Sequence, residues 1–192
     1  DSNSISEWFS DLTFYMFDLF FIPDIYEILF LWIRKDVRLL TDEEKQIAKH
    51  YFKNAIDLSQ VRIDVNMSKM VQKRAQAFVT FHTIHYNNEI PKEIFIHELV
   101  HIWQYQQMGS VYIYRALKAQ KSKEGYDYGG VEGLYNAMLS HKRFIDFNFE
   151  QQGEIFEDFC KIQNIEALFQ NQMVMATYQY FIGQVNGQND NP

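Results

Sequence analysis

The stretch "IFIHELVHIWQYQ", residues 94–106, decides how the rest of the chain is read. Ile94, Phe95, Ile96, Leu99, Val100, Ile102 and Trp103 surround three polar residues on nearly every side, so this helix is expected inside the protein. His97, Glu98 and His101 would then be buried, at a cost of several kcal/mol unless something pairs with them. At i and i+4 two helical side chains stand one above the other. Both imidazoles can therefore reach one ion at about 2.0–2.1 Å. Glu98, directly after the first histidine, projects beside that ion and is placed to take a proton from its water. The competing reading is a core helix whose histidines hydrogen-bond to backbone.

A catalytic zinc site takes three protein ligands and a water. The third is sought in "FNFEQQGEIFEDF", residues 147–159, where Glu150, Glu154, Glu157 and Asp158 share one helical face. The plain reading of that face is a solvated acidic surface. Gly153 argues otherwise, because glycine inside a helix costs about 1 kcal/mol relative to alanine. Close approach of a second helix would offset the cost and bring Glu150 to the metal. Glu154 would then stand behind, accepting a hydrogen bond from a ligand histidine. The exchanged assignment, Glu154 as ligand with Asp158 behind it, has the same spacing of four and stays open. Gln104 shares the face of His97 and His101 and is expected to support them.

The remaining sequence reads as one domain, mainly helical with a small sheet: α+β. It has 192 residues, 47% apolar and 17% aromatic, with three prolines and eight glycines, so it buries a real core and leaves little room for a linker. A net charge of -7 argues against nucleic acid or anionic lipid as the main partner. Cys160 is the only cysteine, which excludes an internal disulfide and a thiolate zinc cluster. With Asp1 first and no initiator Met, a processed product or a piece of a longer chain is expected. Residues 1–38 form an aromatic segment that Pro23, Asp18, Asp24 and Glu27 interrupt before it reaches the ~20 apolar residues needed to span a bilayer. Two short amphipathic helices packed on the core are expected there, with a membrane role disfavoured.

Thr41 with Glu44 forms a capping-box signature for a helix to Phe52. Residues 61–65 and 77–86 alternate as strands, the second a single long one. Pro91 opens the His97 helix and Gly109 stops it. Residues 118–130 read as a loop, 131–143 as a helix, and Asn148 with Gln151 caps another running to about residue 169. Residues 173–182 are ambiguous between helix and strand. The polar end 186–192 reads as a frayed tail.

The pattern HELVH, followed much later by a helical Glu-x-x-small-acid, resembles the gluzincin class of zinc peptidases. Glu150, Gly153 and Glu154 match that class's ligand, small residue and supporting acid. A closer resemblance runs through "LTDEEKQIAKHYFKNAIDLSQVRI", "FIHELVHIWQYQ", "YDY" and "EQQGEIFEDF", to metallopeptidases associated with type VI secretion spikes and extracellular contractile injection systems. It implies a zincin-like domain over 39–185, with the active-site helix next to an edge strand that pairs with an extended peptide. It further implies Zn²⁺ on His97, His101 and Glu150, with Glu98 as general base. Tyr126 and Tyr128, in a glycine-bearing loop, are candidates to stabilise the oxyanion, as is His141. Peptide or protein is the expected substrate, and a bacterial protein, secreted or delivered by such an apparatus, the expected setting. A catalytically silent adaptor on the same fold is the alternative.

Overall fold

Thr41 Oγ1 accepts from the Glu44 backbone N–H at 3.2 Å, while Glu44 Oε2 accepts from the Thr41 N–H at 2.7 Å. This capping box starts α3 (Asp42–Phe52), as its sequence requires. A computed structural model describes residues 2–34, 36–66, 76–165 and 171–187. The order is α1 (Ser2–Leu19), α2 (Ile22–Ile33), β1 (Arg38–Leu39), α3, β2 (Arg62–Asp64), β3 (Ala77–Thr80) and β4 (Thr83–Tyr86). Then follow α4 (Lys92–Met108), α5 (Val111–Gln120), α6 (Gly130–Leu139), a 3-10 turn (Phe144–Asp146), α7 (Phe149–Gln163) and α8 (Gln172–Val185). The fold is a mainly helical α+β domain with one small mixed sheet. Most of the expected 186–192 tail lies outside the described residues.

Helix α4 is the central element, with Ile96, Leu99, Val100 and Ile102 fully buried between α7 and the sheet. Ile155 and Phe156 meet it from α7, and Ile63 and Ile84 belong to the same core. Each such side chain contributes about 1.5–3 kcal/mol by leaving water. The strand order is β1-β2-β4-β3, with β2 parallel to β4 and the other pairs antiparallel. Strand β3 is an edge, and its outer side pairs with no strand among the described residues.

Two helices end earlier than the sequence reading placed them, α6 at Leu139 rather than 143 and α7 at Gln163 rather than about 169, and three further elements depart from it. The single strand expected over 77–86 is a hairpin, with Thr80 paired to Thr83 across Phe81 and His82. Phe81 adopts a positive φ of 53°, a first-turn position that glycine usually fills. Glu27 of α2 supports this turn, accepting from the His82 backbone N–H at 2.9 Å and pairing with its imidazole at 3.0 Å. Lys118–Gln120, expected in a loop, belong to α5. This helix has no side-chain cap of its own, but Asp18 of α1 accepts from the Ser110 N–H at 3.0 and 3.1 Å. Residues 173–182 resolve as helix.

The third departure is at the N-terminus. Helices α1 and α2 do pack on the body, through a stripe in which charged side chains alternate with Phe14, Pro23 and Phe30. Asp11 pairs with Arg115 at 2.7 Å, Glu7 pairs with Lys118, and Arg34 reaches Asp64 at 2.8 Å. Most of their large apolar side chains face outward. Among the described residues, no helix is long and apolar enough to cross a membrane.

Asp64 locks the end of α2 to the sheet. It is buried and accepts from Arg34, from the Asn66 N–H at 3.0 Å and from His85 Nδ1 at 3.1 Å. Burial alone would raise its pKa, but these donors hold it below the usual carboxylate value. A depressed carboxylate stabilises the fold above its unfolded pKa of about 3.9, and that contribution is lost as pH falls through the folded value. Asp64→Asn is therefore expected to cost about 2 kcal/mol at neutral pH. In thermal unfolding the deficit against wild type should hold steady down to about pH 4 and narrow below it.

Candidate metal centre

The carboxyl side of the site begins at Asn148, whose side chain accepts from the Gln151 N–H at 2.8 Å while Gln151 returns the bond. This box starts α7 as its sequence requires and puts Glu150 in the first turn, where the helix dipole favours negative charge. Helix α7 then packs along α4, and Gly153 meets His97 directly. A Cβ at position 153 would lie 2.6 Å from His97 Cε1 and Nε2. Any side chain there would displace the imidazole, so the glycine permits this close approach of ring and helix.

At that separation Glu150 Oε2 stands 3.7 Å from His97 Nε2 and 3.6 Å from His101 Nε2. Ligands about 2.05 Å from a tetrahedral ion are themselves about 3.4 Å apart, so the three donors are spaced to hold one ion. All three residues are buried. Neither Glu150 oxygen has a hydrogen-bond partner, and neither does Glu98 Oε2. A buried carboxylate without donors costs several kcal/mol unless a cation meets it. Burial would raise Glu150, yet the facing imidazoles of His101 and His97 hold it down to about 2. Burial would lower His97, but Glu150 and Glu157 push it up to about 10. Glu98 rises through burial first, against the pull of the two histidines.

Backbone carbonyls settle the proton on His101. Gln152 donates to the Phe147 carbonyl at 2.8 Å, which turns its Oε1 toward Gln104. Gln104 in turn donates to the Phe149 carbonyl and to Gln152 Oε1, both at 2.9 Å. A carbonyl only accepts, so the Gln104 amide has one orientation, with Oε1 at 2.8 Å from His101 Nδ1. Nδ1 therefore carries a proton, and Nε2 is the ring atom that faces Glu150. This is the supporting role expected of Gln104, and Gln152 completes it.

The position behind His97 is taken by a different acid than expected. Glu157 Oε2, not Glu154, lies 3.0 Å from His97 Nδ1, close enough for an ion pair although not aligned as a hydrogen bond. Glu154 is part-exposed and 3.7 Å from Lys161; it offers an oxygen within 4.8 Å of His97 and Glu157 ligand atoms but is not brought to His101. Seven residues separate Glu150 from Glu157, two helical turns, so both reach along His97 across Gly153. That i+7 spacing was the signal available for Glu157 in the sequence.

A cavity of about 340 Å³ opens onto the three donors. Glu98, Tyr112 and Tyr126 line it, and Ala77, Phe78 and Val79 of edge strand β3 form one wall. Tyr126 is 45% exposed, with its ring 6.1 Å from that of His97. Burial and then the Glu150 charge raise its pKa, so the phenol keeps its proton. Tyr128 is not brought to the cavity, since its hydroxyl is bonded to Asp158 and Tyr178, both at 2.6 Å. His141 is exposed at the end of α6 and does not line the cavity either. Tyr112 was missed because its helix, α5, was not read from the sequence.

Comparison of the chain with protein-family models, with curated proteins and with solved structures gives no match.

Gly153→Ala should gain about 1 kcal/mol of helix propensity yet push the His97 ring aside. The expected result is weaker zinc binding in a titration with little loss of thermal stability. Gln104→Met frees the His101 tautomer and should weaken zinc binding roughly 10–100-fold in the same titration.

Proposed function

We propose that this protein is a zinc-dependent metallopeptidase in which His97, His101 and Glu150 hold the ion and Glu98 is the general base. One observation carries the reading: a buried carboxylate, Glu150, with no hydrogen-bond donor, faces two imidazole Nε2 atoms at 3.6 and 3.7 Å. A zinc ion held there would polarise the scissile carbonyl and supply a water that ionises near neutral pH. Glu98 borders the same cavity with one oxygen free of partners, and takes up a proton and passes it to the leaving amine. The Tyr126 hydroxyl donates to the carbonyl oxygen as that atom gains charge. An extended peptide lies along β3, whose outer edge offers main-chain hydrogen bonds beside the donors. Glu157 and Gln104 hold the two imidazoles in place. The resemblance of residues 39–160 to metallopeptidases of secretion spikes and injection systems supports a role as an effector or processing domain of such an apparatus.

Metal content and peptide hydrolysis test this together. Wild type should carry about one zinc per chain, lost in Glu150→Ala and kept in Glu154→Ala. Glu98→Gln should keep the metal and lose roughly 10²–10⁴-fold in hydrolysis of a peptide library. If folded wild type offered zinc binds none, the cluster is a buried ion network and the enzyme reading fails. Zinc binding with biological activity untouched by Glu98→Gln would favour the silent adaptor.

A further inference from the structure

Helices α1 and α2 carry their polarity inside out. On α1, Glu7, Asp11, Phe14 and Asp18 recur at i, i+4, i+7 and i+11, a single helical face. On α2, Pro23, Glu27, Phe30 and Arg34 do the same. Both faces lie against the body. Besides the ion pairs and caps already described, Phe14 stacks on Tyr114 with centroids 6.1 Å apart, and Phe30 meets the His85 ring at 5.6 Å. The outward circumference is apolar, through both helices and the tip that joins them. Phe21 is 66% exposed, Ile28 67% and Trp32 78%. Most of the large apolar side chains exposed among the described residues lie between Ile5 and Ile33.

We propose that the α1–α2 hairpin docks on a lipid bilayer, lying in the interface of a neutral, zwitterionic membrane without crossing it. Two hydroxyls of α1 are already satisfied within the helix. Ser10 Oγ donates to the Ser6 carbonyl at 3.0 Å and Thr13 Oγ1 to the Phe9 carbonyl at 2.8 Å, so neither hydroxyl needs water. Glu7, Asp11, Asp18 and Glu27 are all engaged by the body. Asp24 falls on the flank of α2, roughly 90° from the body-facing stripe, and stays at the lipid boundary. The apolar surface covers two helices and their connection and faces several directions. A fluid acyl phase fits such a surface; one rigid protein face does not. Trp8 and Trp32, large apolar rings with one polar edge, suit the headgroup boundary.

Charge selects the lipid. No Lys or Arg occurs between Ser2 and Ile33, and the net charge is -7, so attraction to anionic headgroups cannot drive binding. Apolar burial drives it instead. A span is not the expected mode: 12 residues make α2 about 18 Å long, against a hydrocarbon core of about 30 Å, and no helix among the described residues, α1 included, is both long and apolar enough to cross.

The test is flotation of the full chain with phosphatidylcholine vesicles at low and high salt. Beside it, Trp fluorescence in a Trp103→Phe background is measured with lipids brominated along the acyl chains. Wild type should float at both salt concentrations, and Trp8 and Trp32 should be quenched. A Phe20→Glu, Ile28→Glu, Trp32→Glu triple variant changes only exposed side chains. Its partitioning should drop about tenfold or more, with the thermal transition of the body retained. The quenching readout on unaltered hairpin residues keeps the test valid if that variant does not fold. No flotation of wild type overturns the proposal. So does flotation confined to anionic vesicles and lost at high salt, or equal flotation of the triple variant. A hairpin-dependent dimer in sedimentation velocity with no vesicle binding also overturns it, and assigns the surface to a second copy of this chain.

Discussion

His97 lies directly on the backbone of Gly153, and that contact permits the close approach of α4 and α7. Two helices that cross over a pair of larger side chains sit 8–10 Å apart, and any added atom at the crossing pushes them outward. Here the crossing has an imidazole on one side and no side chain on the other. Glu150, in the turn before the glycine, therefore comes up to both Nε2 atoms, while Glu157, in the turn after it, meets Nδ1 of the same ring. The carboxylate pair, the histidine pair and the glycine form one arrangement, in which altering the separation would unseat every donor together.

Around that crossing, polar groups are held by groups that have only one way to bond. Backbone carbonyls orient Gln152 and Gln104, and Gln104 fixes the proton on His101. The result is a His101 ring held with its Nε2 edge toward Glu150, in a buried setting where an unmatched charge is costly. Helix α5 links this centre to the N-terminal hairpin. Its Tyr112 and Ala116 border the cavity, while its Arg115 and Lys118 hold α1 by ion pairs. The two halves of the protein thus share one element, with charge on one side and the cavity on the other.

Much of this was legible before any coordinates. The histidine pair with its glutamate, the apolar frame that buries them, the Thr41 and Asn148 caps, the Pro91 and Gly109 limits of α4 and the meaning of Gly153 all follow from local rules. Each depends on residues within two turns of one another, where backbone geometry leaves little choice. Glu157 was visible as part of an acidic face but not as the partner of His97. Four- and seven-residue spacings lie on the same face, and only the height of the facing helix selects between them.

Sequence by itself determined the fold class, the central buried helix with its histidine pair, and the cap that starts α7. These are matters of periodicity, capping and the cost of burying charge. That Glu150 rather than Glu154 faces both imidazoles was decided by the tertiary structure. Tertiary structure alone decided the turn at Phe81 and His82 and the start of α5. Neither has a local signal, because their stabilising acceptors are Glu27 and Asp18, far away on the N-terminal helices. It also decided which way those helices face. Amphipathicity predicts two sides but not which side meets the body. Here five charged side chains on the inner side, Glu7, Asp11, Asp18, Glu27 and Arg34, find partners, and most of the apolar side chains are left outward.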